Sequence, residues 1–91
     1  MRFWAKIMQD NRLIKDYSCE ILGEESRTAK VFRALEESCR QLDLSVPIWL
    51  KPNVKDFQKI ARTRFRQDSF VENISFDYLE FQVIGEDGEV S

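Results

Sequence analysis

The sequence predicts an α+β fold: a small, mainly antiparallel sheet of three to four strands, an N-terminal β-hairpin plus a C-terminal strand, with two amphipathic helices on one face. Three observations predict it. Apolar residues alternate at period two within 3–8, 13–22 and 74–84. They recur at helical spacing over 26–42 and again from Val54 onward. Between the first two alternating stretches lies Asp10-Asn11, a pair suited to a tight hairpin turn.

Over 3–8, Phe3, Ala5 and Ile7 share one face while Trp4, Lys6 and Met8 share the other. One face is apolar and the other mixed, which places this strand between its hairpin partner and the C-terminal strand. Gln9-Asp10-Asn11-Arg12 follows, where Asp and Asn tolerate the positive φ of the turn. In 13–22, Leu13, Tyr17, Cys19 and Ile21 fall on one face and Asp16, Ser18 and Glu20 on the other. Gly23 breaks the strand, and Ser26 is placed to cap a helix with Glu24 and Glu25 near its positive end. Val31, Phe32, Leu35, Cys39 and Leu42 then predict a helix over 26–42, with Arg33–Glu37 and Glu36–Arg40 as i,i+4 pairs. The stretch 44–50 is too short and proline-bound for a helix. It reads as a buried connector with room for a short edge strand.

Pro52 and Asn53 open the second helix, with Asn53 as cap and Asp56 at the capping-box position. At about 100° per residue, Val54, Phe57, Ile60, Ala61 and Phe65 fall in one sector of this helix. Lys55, Lys59, Arg62 and Arg66 fall opposite as a basic stripe, and Arg64 lies outside it. Phe70 and Val71 are expected at the core. In the last strand Leu79, Phe81 and Val83 alternate with Tyr78, Glu80 and Gln82. Residues 85–91 have no periodicity, so the domain is 1–84 and the rest is a mobile acidic tail.

The totals bound the function. Ninety-one residues make one domain with one modest core and no separate cofactor domain. No apolar run approaches the roughly 18–20 residues of a membrane helix, so no membrane partner is expected. The start, MRFWAKIMQDNR, lacks the apolar stretch of a signal peptide, and a cytoplasmic protein is expected. The chain has no histidine, which removes the commonest general base and transition-metal ligand. Cys19 and Cys39 form no metal-binding spacing and read as reduced core thiols. Glu24–Glu25 and Glu36–Glu37 are adjacent surface charges, and the three glycines form no phosphate-cradling loop. No catalytic, cofactor-binding or metal-ligating residue is therefore assigned, and the chain is not expected to be an enzyme. An enzyme active only with a partner is the third reading.

Charge is partitioned along the chain. Residues 51–66 carry six Lys and Arg against Asp56 alone, a net of +5, and 67–91 carry seven acidic residues and no basic one. Such a partition points to an electrostatic partner or to self-pairing. The leading expectation is a small non-catalytic protein–protein interaction module, self-associating as a homodimer. Its candidate interface is Trp4, Met8, Tyr78 and Ile84, which would share a sheet face if the first and last strands are neighbours. The alternative is a nucleic-acid-binding accessory protein using Lys55, Lys59, Arg62 and Arg66. An overall pI near 5.2 weighs against that alternative.

The blocks FWAKIMQDNRLIKD, ALEESC, LDLSVPIWL, ARTRFRQDSFVE and ISFDYLEFQVI together resemble a family of small uncharacterised bacterial proteins. The resemblance spans nearly the whole chain. It implies a stand-alone bacterial cytoplasmic protein and brings no activity, cofactor or catalytic residue.

Overall fold

Asp10 (φ 51°) and Asn11 (φ 63°) both take the positive φ that a two-residue hairpin turn requires. They join β1 (Arg2–Gln9) to β2 (Arg12–Glu20), and the computed structural model continues with α1 (Arg27–Gln41), α2 (Lys51–Ile60), β3 (Arg62–Phe65) and β4 (Tyr78–Gly85). It describes residues 1–87, so the part of the predicted acidic tail at 88–91 lies outside the described residues. The four strands form one open antiparallel sheet in the order β2-β1-β4-β3, with β1 between its hairpin partner and the C-terminal strand as its two apolar-bearing faces predict.

Both helices lie on the face that carries Phe3, Ala5, Ile7, Leu79 and Phe81. From α1, Val31, Ala34, Leu35 and Cys39 join these residues in the core, and α2 contributes Phe57. Phe81 is the hub: its ring stacks on Phe3 at 5.4 Å and on Phe57 at 5.8 Å, so one phenylalanine couples the sheet to α2. Trp49 fills the next gap with edge contacts to Phe57 and Phe65 at 5.4 and 5.0 Å. Ser26 caps α1, its Oγ accepting from the Ala29 N–H at 3.1 Å.

Several elements differ from expectation, each for a local reason. In β2 a bulge at Ile14 shifts the register, so Leu13 pairs with Met8 and stays exposed instead of facing the core. The segment 44–50 forms no strand, and the edge beside β4 is taken by β3. Arg33 pairs with Glu25 and Arg40 with Glu37, in place of the expected i,i+4 pairs. Phe32, Val54, Ile60 and Val71 are exposed rather than buried. Gly85 closes β4, and the next two residues are held, Glu86 by Arg27 and Asp87 by Lys30. Residues 85–87, expected in the tail, are thus joined to the fold by these contacts.

The largest difference is at α2, which stops at Ile60. Ala61 adopts a left-handed conformation (φ 54°, ψ 34°), its N–H bonding to the Phe57 carbonyl at 2.9 Å while its carbonyl accepts from Val83 at 2.9 Å. The chain leaves the helix there and enters β3, so Thr63 and Phe65 turn inward at period two. An alanine in this conformation is strained, and glycine relieves the strain at some cost in unfolded-chain entropy. Ala61→Gly is expected to stabilise the fold by about 0.5–1 kcal/mol. A urea-unfolding midpoint that moves down would contradict the assigned turn.

Candidate functional site

Side chains alternate across strands, so the register decides which residues meet on the face away from the helices. One row crosses all four strands with alternating sign: Asp16 on β2, Lys6 on β1, Glu80 on β4 and Arg64 on β3. The next row is Ser18, Trp4, Gln82 and Arg62. A third holds Leu13, Met8 and Tyr78. Neither helix packs on this face.

Its contacts are polar and aromatic together. Glu80 is only 6% exposed and receives Lys6 Nζ at 2.8 Å and Arg64 Nε at 3.0 Å on its two oxygens. Trp4 Nε1 donates to Asp16 Oδ2 at 2.8 Å, and Lys6 Nζ lies 4.1 Å from the Trp4 ring centroid. The Tyr78 ring is flanked by two guanidiniums, Arg64 at 4.6 Å and Arg66 at 5.1 Å. Arg2, Lys6, Arg62, Arg64 and Arg66 stand on or at the rim of the face against Asp16, Glu20 and Glu80, five cations to three carboxylates. Among the described residues Arg2, Arg62 and Arg66 have no ion pair.

Burial pushes the Glu80 carboxyl up, but hydrogen bonds from Lys6 and Arg64 and the charges of both outweigh it, and the net shift is downward. A carboxyl with a lower folded pKa binds fewer protons when native than when unfolded. Its contribution is therefore complete above the ordinary value of 4.5 and is lost as pH falls through the folded value. Glu80→Gln is expected to cost about 2 kcal/mol at neutral pH, since one cation loses its acceptor. The difference from wild type should shrink below pH 4.5 in urea unfolding followed against pH. A cost that does not change with pH would contradict the ion-pair role.

The predicted contact residues are redistributed. Lys55 and Lys59 lie exposed on α2, whereas Arg62 is on β3 and Arg66 follows it, so the four do not form one helical stripe. Trp4, Met8 and Tyr78 do come together, with Met8 directly opposite Tyr78. Ile84 lies at the far end of β4, 42% exposed beside Arg2. The alternation places Lys6 beside Trp4 and Met8 and Glu80 beside Tyr78, and with Arg64, which the helical reading put elsewhere, they interrupt the apolar patch with charge. The signal was present: Arg62, Arg64 and Arg66 alternate with Thr63 and Phe65 at strand period.

The position of this edge depends on Asn53. Its Oδ1 accepts from the Leu50 N–H at 3.0 Å and from Ser69 Oγ at 3.4 Å, and its Nδ2 donates to Thr63 Oγ1 and the Arg64 carbonyl, both at 3.0 Å. The cap of α2 is thus Leu50, two residues before the predicted opening at Pro52, and Asn53 reaches back to it from the first turn. That one amide fixes β3 against α2.

On the opposite side a pocket of about 370 Å³ lies between β2 and α1, lined in part by Tyr17, Cys19, Arg33, Glu37 and Arg40. Within it Glu37 accepts from Tyr17, Arg40 and Gln41, and Arg33 pairs with Glu25. Burial raises the Cys19 thiol pKa, against a lowering contact from Ser38, and raises that of fully buried Cys39 to about 12. Neither thiol is activated as a nucleophile. Among the described residues no group of three or more His, Cys, Asp or Glu is arranged to hold a metal ion, and no helix is long and apolar enough to cross a membrane.

No protein-family model, curated protein or solved structure matches this chain.

Proposed function

We propose that the protein is a non-catalytic binding module whose working surface is the uncovered face of its sheet. The observation that carries this reading is the placement of two aromatic residues, Trp4 and Tyr78, among five cations on a face that no helix covers. Half-buried aromatic rings on such a face offer contact area, and arginines beside them offer directed charge. The alternating row Asp16–Lys6–Glu80–Arg64 makes this a poor dry interface, because closing it against an apolar partner would desolvate four charged groups. A partner that brings its own charge and its own planar groups suits it better. The protein's cytoplasmic location and bacterial origin are part of the same reading and rest on the residues alone.

A photo-crosslinking amino acid placed singly at Trp4, Tyr78, Phe32 or Val71 tests this in the native cell. Adducts from the first two positions, and none from Phe32 or Val71 on the rest of the surface, are the expected result. Adducts formed only from Phe32 or Val71 would overturn it.

A further inference from the structure

The geometry points to a single-stranded nucleic acid as the occupant of the open sheet face, with bases against Trp4 and Tyr78 and phosphates against Arg62 and Arg66. This rests on the open-face reading above and names its partner. Three features of the face carry it. First, by strand geometry the backbone positions of Trp4 and Tyr78 stand about 14 Å apart, four residues along the sheet and one strand over. A single strand with unstacked bases crosses that distance, whereas a duplex keeps its bases inside and presents none to either ring. Second, the cations without an ion pair are at the edges. Arg62 flanks the Trp4 row on β3, Arg66 flanks Tyr78, and Arg2 ends β1, while Lys6 and Arg64 are already engaged by Glu80 between them. Free cations at the margin and neutralised ones in the middle match a polymer whose charge runs along its backbone and whose bases are neutral. Third, the guanidiniums of Arg64 and Arg66 already lie over the Tyr78 ring. A base arriving there joins cation–π contacts that exist in the free protein.

The whole-chain charge of −2 argues against general attraction to nucleic acid, and the same fact makes the inference sharp. Binding must come from this face, and it must depend on the rings as well as on charge. Lys55 and Lys59 on α2 have no aromatic neighbour among the ring contacts of the described residues and should be bystanders.

Fluorescence anisotropy with labelled oligo-uridine, labelled oligo-deoxythymidine and a duplex of the same length tests this. Binding of either single strand at low salt, weaker for the duplex by about tenfold or more, is expected. Trp4→Ala and Tyr78→Ala should each weaken it by at least about fivefold, while Trp4→Phe and Tyr78→Phe, which keep a stacking ring and guard against a folding defect, should retain most of it. Arg62→Ala with Arg66→Ala should make the dependence of log affinity on log salt shallower by about 1.4, the loss of two phosphate contacts to a single strand. Lys55→Ala with Lys59→Ala should change nothing. No binding of either single strand, equal binding of the duplex, or binding that follows Lys55 and Lys59 and ignores the rings would overturn the inference. Protein adducts at Trp4 and Tyr78 without oligonucleotide binding would remove the nucleic acid and leave the open-face reading standing. Adducts confined to Phe32 or Val71 would remove both.

Discussion

Phe81→Ala is expected to lose about 4 kcal/mol of unfolding free energy, the scale of a phenylalanine truncated in a closed core. Phe81 has no exposed surface and is stacked between Phe3 and Phe57. Its neighbours across the sheet are Ala5 and Thr63, both small and both buried, so nothing nearby can swing in to fill the space. A domain of 91 residues has a total stability of about 5–14 kcal/mol, which makes this single change a large fraction of the whole. Phe81→Leu, which keeps most of the volume, should cost about 1–2 kcal/mol. Urea unfolding of both variants gives the measurement. A loss below about 1 kcal/mol for the alanine variant would mean that the stack does not couple sheet and helix as described.

Asn53→Asp is the second large effect, at about 3 kcal/mol, from a change of one atom. The carboxylate keeps both acceptor roles toward the Leu50 N–H and Ser69 Oγ. It loses both donor roles, toward Thr63 Oγ1 and the Arg64 carbonyl, and sets an anion against that carbonyl at a site only 5% exposed. Thr63 also donates to Asp56, so the new charge arrives close to an existing carboxylate. Because the lost bonds tie β3 to α2, the variant should also loosen β3, visible as faster amide exchange at Thr63 and Phe65. Stability within about 0.5 kcal/mol of wild type would show that the amide is not the clamp.

Much of the fold was legible because its signals are local. The hairpin turn needed only the Asp10-Asn11 pair, α1 needed Ser26 and its apolar spacing, and the burial of Leu79 and Phe81 followed from alternation. The end of α2 was not legible, for a physical reason. The turn at Ala61 has no glycine or asparagine to mark it, since the conformation is held by bonds to Phe57 and Val83 that lie outside any local window. Helical and strand periods also coincide briefly there, because Ala61 and Phe65, four residues apart, share a face on either reading. That ambiguity scattered the cations onto a helix that ends too soon. It hid the fact that Arg62, Arg64 and Arg66 share a side with Trp4 and Tyr78, which only the pairing of β3 with β4 reveals. The bulge at Ile14 was invisible for the same reason, being a property of the pairing and not of either strand.

The most direct test of the open face as the binding surface is a titration of the isotope-labelled protein with oligo-uridine, followed through backbone amide and side-chain resonances. The indole of Trp4, the ring of Tyr78 and the amides of Lys6, Arg62, Arg64 and Gln82 should shift together and saturate at one concentration. Lys55, Lys59 and the residues of α1 should stay where they are. Shifts that gather on α1 and α2 and leave β1, β3 and β4 untouched would contradict the account.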